Sequence, residues 1–143
     1  VPASVVITDP SNGGQVRLVT GGAVPVAPVH PSLSFNATLG TDDTAVNIVA
    51  AKANHVFCMT GILLTANQNV SNTVNATVTI YTADSETTAK ASAITTLFEL
   101  SIGRNDIRDI TPVLVEAEKG KWINGETTDD DVIVTILGYY LKA

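Results

Sequence analysis

The sequence predicts an all-β domain: an antiparallel β-sandwich of jelly-roll type, preceded by an N-terminal hairpin and an extended, proline-containing arm. Three observations predict it. About seven or eight short runs of β-branched and aromatic residues recur, separated by turn residues at intervals of roughly ten positions. No stretch of the 143 residues sustains a helical period. The strand-like runs do not alternate with helices, which argues against a parallel α/β sheet.

Composition divides the chain into a hairpin and arm over residues 1–32 and a sandwich over residues 33–143. In the first part, residues 4–8 and 15–20 are β-prone and flank the turn Pro10-Ser11-Asn12-Gly13-Gly14, a hairpin signature. Pro25, Pro28 and Pro31 then recur every three residues and favour an extended, polyproline-like segment. Such a segment has no core of its own. Its apolar side chains, Val24, Val26 and Val29, favour docking along another surface over a free linker.

The second part opens with a half-buried strand in which Leu33, Phe35, Ala37 and Leu39 alternate with Ser34, Asn36 and Thr38. Residues 46–51 form a short second strand, and residues 56–65 a third that is apolar on both faces. Val74, Ala76, Val78 and Ile80 alternate with polar residues and with Tyr81, giving a one-sided strand. The polar loop 83–90 has room for a helical turn capped by Ser85. After it, Ile94, Thr96, Phe98, Leu100 and Ile102 share one face of a strand. Residues 111–117 make a further strand, edge-like where it carries Pro112. Residues 119–125 read as a turn, a short apolar pair and a second turn.

The last strand, residues 132–141, follows the acidic turn Asp129-Asp130-Asp131. One side carries Val132, Val134, Ile136, Gly138 and Tyr140; the other carries Ile133, Thr135, Leu137, Tyr139 and Leu141. Both sides are apolar, whereas a small antiparallel domain normally covers one face only. Leu137, Tyr139 and Leu141 are therefore candidate interface residues, to be covered by sister chains or by the chain's own arm.

Charge and composition exclude several function classes. The net charge of -6 and the scatter of eight basic residues argue against nucleic acid. Arg104 and Arg108 come nearest to a patch, but Asp106 and Asp109 flank them. Charged residues make up only 15% of the chain, below the roughly 25% usual for soluble domains. That fits either a surface packed against neighbours or a sheet whose polar face uses hydroxyls and amides. No charged-then-apolar leader is seen after Val1-Pro2-Ala3, and no apolar run reaches the roughly 18 residues of a membrane span, so no membrane role is expected.

No catalytic constellation is legible. His30 and His55 lie far apart, without a second ligand at metal-binding spacing. Nucleophilic catalysis needs a base beside the nucleophile, and no Gly-x-Ser-x-Gly elbow is present. Cys58 sits in an apolar run and reads as an inert buried thiol. Asp129-Asp130-Asp131 invites calcium, yet consecutive residues rarely converge on one ion, so a solvated turn is preferred. Aromatics are 5% of the chain, leaving Trp122 and Tyr81 as the side chains for a sugar platform or interface. We expect no enzyme activity and no cofactor.

Five blocks carry a resemblance: residues 57–66, residues 76–81, Ile110-Thr111-Pro112, residues 118–124, and residues 131–140 with their Gly138-Tyr139-Tyr140. In order and spacing they resemble small jelly-roll structural proteins of tailed bacteriophages, capsid decoration (cement) proteins or related virion modules. The resemblance implies a homotrimer on the outer capsid surface, made in the host cytoplasm, that bridges neighbouring major capsid protein subunits. Two other classes remain open: a receptor-binding or fibre-tip module that binds host glycan, and a carbohydrate-binding module.

Overall fold

The computed structural model describes residues 6–7, 16–17, 32–39, 44–67, 69–71, 73–129 and 131–143. The chain divides into two units, Val1–Pro31 and Ser32–Ala143. In the first, β1 (Val6–Ile7) pairs antiparallel with β2 (Val16–Arg17), Val6 opposite Arg17 and Ile7 opposite Val16. The Pro-containing arm lies outside the described residues, as do Val24, Val26, Val29 and His30.

The second unit is an all-β sandwich of two antiparallel sheets. One sheet runs in the order β4 (Val46–Val49), β10 (Trp122–Thr127), β6 (Ala76–Ala83), β7 (Thr95–Ile102). The other runs β3 (Leu33–Leu39), β11 (Val132–Lys142), β5 (His55–Ala66), β8 (Ile107–Ile110), with β9 (Val115–Glu116) also on β5. The pairing is nested. β3 meets β11, β4 meets β10, β5 meets β8 and β9, and β6 meets β7. A long hairpin whose tip is the β6–β7 connection is thus rolled around the core. Leu39, Phe57, Met59, Ile62, Leu64, Val132, Val134 and Ile136 of one sheet pack with Ile48, Val49, Val78, Ile80, Ile102 and Ile123 of the other.

Two bulges explain how the apolar pattern shifts along the strands. On β5 the register with β11 slips between Leu137 and Gly138, leaving Thr60 as the extra residue. Core positions therefore change from Ile62, Leu64 and Ala66 to Phe57 and Met59 across the bulge. On β7, Ile80 faces Phe98 but Tyr81 faces Thr96, so Leu97 is the extra residue. This corrects the expected face of that strand: Phe98, Leu100 and Ile102 keep to the core side, but Thr96 leaves it and Ile94 is exposed.

Three further expectations need correction. Residues 119–125 are not two turns around an apolar pair; from Trp122 they enter β10, which lies between β4 and β6. Asn124-Gly125 is a hairpin signature in isolation. Here the Asn124 amide is buried and bonded, and Gly125 is needed because a Cβ there would lie 2.9 Å from both Ile48 Cδ1 and Leu39 Cδ2. Residues 111–117 are not one strand: Pro112, which has no N–H to donate, separates β9 from an unforeseen β8. Ser85 does not cap a helix; the 3-10 turn Lys90–Ser92 follows Ala89, and Ser85 instead closes a turn by accepting from Thr88 N at 3.3 Å.

Candidate interaction faces

Directly opposed residues of an antiparallel pair share a face, so the register maps the outer surface of the β3–β11–β5–β8 sheet. On β11 it presents Ile133, Thr135, Leu137, Tyr139 and Leu141. Toward β3 these face Thr38, Asn36 and Ser34, and toward β5 they face Thr65, Leu63, Gly61, Cys58 and Val56. Beyond β5 stand Ile107, Asp109 and Glu116. The surface therefore has an apolar centre, a flank of hydroxyls and amides, and an acidic flank. Leu63, Ile133 and Leu141 are 39%, 36% and 38% exposed, and Leu137 and Tyr139 are half-buried. The candidate residues Leu137, Tyr139 and Leu141 lie together on this face.

On the opposite wall, the outer face of the β4–β10–β6–β7 sheet, the chain itself covers the part around β10 and the end of β6, while Glu99 and Ser101 of β7 stay exposed. Tyr81, Asn124 and Glu126 project there side by side, all essentially buried. The Glu126 carboxylate accepts from the Tyr81 hydroxyl at 2.7 Å and from the Lys90 backbone N–H. The Asn124 amide donates to the carbonyls of Ser85 at 3.0 Å and Thr88 at 3.2 Å, and accepts from Asn47 at 3.1 Å. The β6–β7 loop is thereby fastened across the sheet. Burial, followed by the Glu126 carboxylate, pushes the Tyr81 phenol far up. Tyr81 is thus a buried fastener and not the exposed interface side chain that its strand position implies. Nothing in the alternation of β6 shows this, because the cover comes from the loop.

The other singled-out residues have local roles. His55 Nδ1 lies 2.8 Å from the Ala53 carbonyl, at the turn entering β5. Cys58 is buried, and burial pushes its thiol up. Beside it, the Cys58 thiol and partial burial push the Tyr139 phenol up. Trp122 is half-buried on the strand it begins. Arg108 pairs with Asp106 at 3.3 Å. In the β10–β11 connection, Asp129 accepts from Ser71 N at 2.8 Å, and the Asn69 amide donates to Asp131. Asp130 is outside the described residues. Among the described residues, no group of three or more His, Cys, Asp or Glu could hold a metal. Nor is any described helix long and apolar enough to cross a membrane.

At one end of the core an aromatic cluster forms. Phe57 meets Phe35 edge-on at 5.5 Å and Tyr140 at 5.2 Å, and the Tyr140 hydroxyl donates to the Ala50 carbonyl at 2.6 Å. Lys52 Nζ lies 5.3 Å from the Tyr140 ring centroid.

No known family model and no curated protein matches the sequence. Solved structures do. A chain from the acid-stable capsid structure of the Helicobacter pylori bacteriophage KHP30 is similar over 80% of this chain and 92% of its own, with a TM-score of 0.52 and 16% identity. At that identity the likeness is one of fold. Weaker likenesses are to a chain from the disulfide-linked pili that form Bacillus endospore appendages (11% identity, 79% and 88% coverage, TM-score 0.42) and to one from infectious bursal disease virus strain Gx (13% identity, 87% and 38% coverage, TM-score 0.32). Both scores are too low to carry an argument.

Proposed function

We propose that this protein is a virion structural protein: a capsid decoration (cement) protein that sits on the outer shell as a homotrimer and bridges major capsid protein subunits. The observation that carries the proposal is the apolar centre of the β3–β11–β5–β8 sheet, with Leu63, Ile133, Leu137, Tyr139 and Leu141 on one outer face. Burying apolar surface contributes about 25 cal/mol per Å², and a symmetric oligomer is the usual way to cover such a face. The nested strand order supports the jelly-roll reading, and the likeness in fold to a phage capsid chain supports the setting. Its work is mechanical: many modest contacts repeated over a shell add up through multivalency, with the arm bearing Val24, Val26 and Val29 as a second point of attachment.

Two measurements test this. Leu137→Asp or Tyr139→Asp should break the oligomer into folded monomers in size-exclusion chromatography with light scattering. Unchanged mass would remove that face from the interface. Deleting Val1–Pro31 should abolish co-sedimentation with capsids but leave the sandwich folded, since the core residues among those described all lie in the second unit. Full binding by the truncated chain would eliminate the arm as an attachment.

A further inference from the structure

Strand edges offer unpaired N–H and C=O groups, and natural proteins guard them with charges, prolines, bulges or short length. Among the described residues the sandwich has four edges, and three are guarded. β4 is four residues long. β7 carries the Leu97 bulge and the exposed Glu99. The β8–β9 edge carries Arg108, Asp109 and Glu116 and is interrupted around Pro112. The fourth edge, β3, has none of these devices. Its seven residues, Leu33-Ser34-Phe35-Asn36-Ala37-Thr38-Leu39, include no charge, Pro or Gly. They pair with β11 in unbroken register. Among the described residues, nothing pairs with β3 on its other side.

The sequence of β3 is also complementary to itself. Laid antiparallel on a copy about a two-fold axis at Asn36, Leu33 meets Leu39, Ser34 meets Thr38, Phe35 meets Ala37, and Asn36 meets Asn36. Each large inner residue faces a smaller or equal one, and each outer polar residue faces another. No charge faces a charge. The inner-face side chains still open to solvent, Leu33 at 38% and the half-buried Phe35 and Ala37, would gain a neighbour. The Asn36 amide, which donates to Thr135 Oγ1 at 2.9 Å on the exposed outer face, stands at the axis.

We propose that the free edge of β3 is a homotypic pairing site that takes β3 of a second copy of this chain, joining two β3–β11–β5–β8 sheets into one continuous sheet. The contact uses an edge and not the apolar outer face, so it is independent of the oligomer proposed above and can link such oligomers to one another.

A charge swap on the axis tests it. In sedimentation equilibrium of the full chain at neutral pH, Asn36→Lys and Asn36→Asp each place like charges directly opposite. Each should weaken the two-fold association by up to about fivefold. An equimolar mixture of the two variants should restore it. Asn36 is exposed, so the urea midpoints of the variants should match the wild type. If they do not, Ser34→Asp and Thr38→Lys serve in their place: the same register sets them opposite each other, so their mixture should associate more tightly than either variant alone, and equal association would overturn the register. Several results would overturn the proposal: identical association of wild type and both variants, loss in both without restoration on mixing, or a wild-type chain that pairs only once a different protein is added. Equally, a chain lacking two-fold association whose β3 amides resist hydrogen exchange would show the edge already covered by the chain's own residues.

Discussion

Glu126 is the residue whose setting departs furthest from its type. A carboxylate 1% exposed needs charge-assisted donors, and it has two, the Tyr81 hydroxyl and the Lys90 N–H. Tyr81→Phe removes one donor and leaves the other partner buried, which should cost about 1.5–3 kcal/mol. A urea titration of the variant would show this as a lower midpoint at unchanged slope, and an unchanged midpoint would contradict the fastener role. None of this was legible in the sequence. Tyr81 falls on the polar side of a clean alternation, and Glu126 follows what looks like a turn; only the fold brings them beneath the same loop. Cys58 was legible, because an apolar run on both sides already implies a buried thiol.

At the scale of elements, β3 and β6 could be read from alternation, and β5 and β11 from runs apolar on both faces, whereas β10 could not. Its Asn124-Gly125 imitates a hairpin turn, yet the amide serves the neighbouring loop and the missing Cβ lets the two sheets approach. Gly138 is a second position of this kind: a Cβ there would run into the Cys58 carbonyl oxygen and the Phe57 ring. The backbone oxygen cannot swing aside as a side chain can. Gly138→Ala should therefore destabilise by about 1–3 kcal/mol or more, exceeding the cost of Gly120→Ala corrected for its positive φ, where no atom lies within 4 Å. Parallel thermal melts of the two variants check the order. β8 escaped notice because Ile107-Arg108-Asp109-Ile110 is too short and too charged to show a period, and its strand state is imposed by pairing with β5.

For the whole molecule, the sandwich was legible because periodic turns and one-sided strands recur along the chain. The pairing order was not, since strands far apart in sequence meet only in three dimensions. The acid limit also belongs to this scale. Burial works against the charge of Glu118, but hydroxyls of Thr82 and Thr95, its own backbone N–H and Lys121 outweigh it and hold the carboxyl below its ordinary range. Asn69 and Asn67 do the same for Asp131. Both groups bind protons more weakly when folded. Their contribution is present in full above the unfolded values, about 4, and is lost as pH falls through the lower folded values. Urea midpoints should be level from pH 7 to pH 5 as far as these groups contribute, and drop below about pH 4. Glu118→Gln should lessen the drop; an equal drop in the variant would place the acid sensitivity elsewhere.

The nesting of the sandwich's first described strand, β3, against β11 also sets a clock. Asn36 reaches Thr135 across 99 positions, and β11 lies between β3 and β5. On the ribosome, β3 gains the one partner it has among the described residues only when β11 emerges, so this sheet closes only after residues 132–142 are made. Loop closure over such separations is slow, and non-local β topologies of this kind fold in milliseconds to seconds. During that interval none of the described residues pairs with the uncharged Leu33–Leu39 strand on either side. Each chain must complete its own strand order before another chain completes it instead.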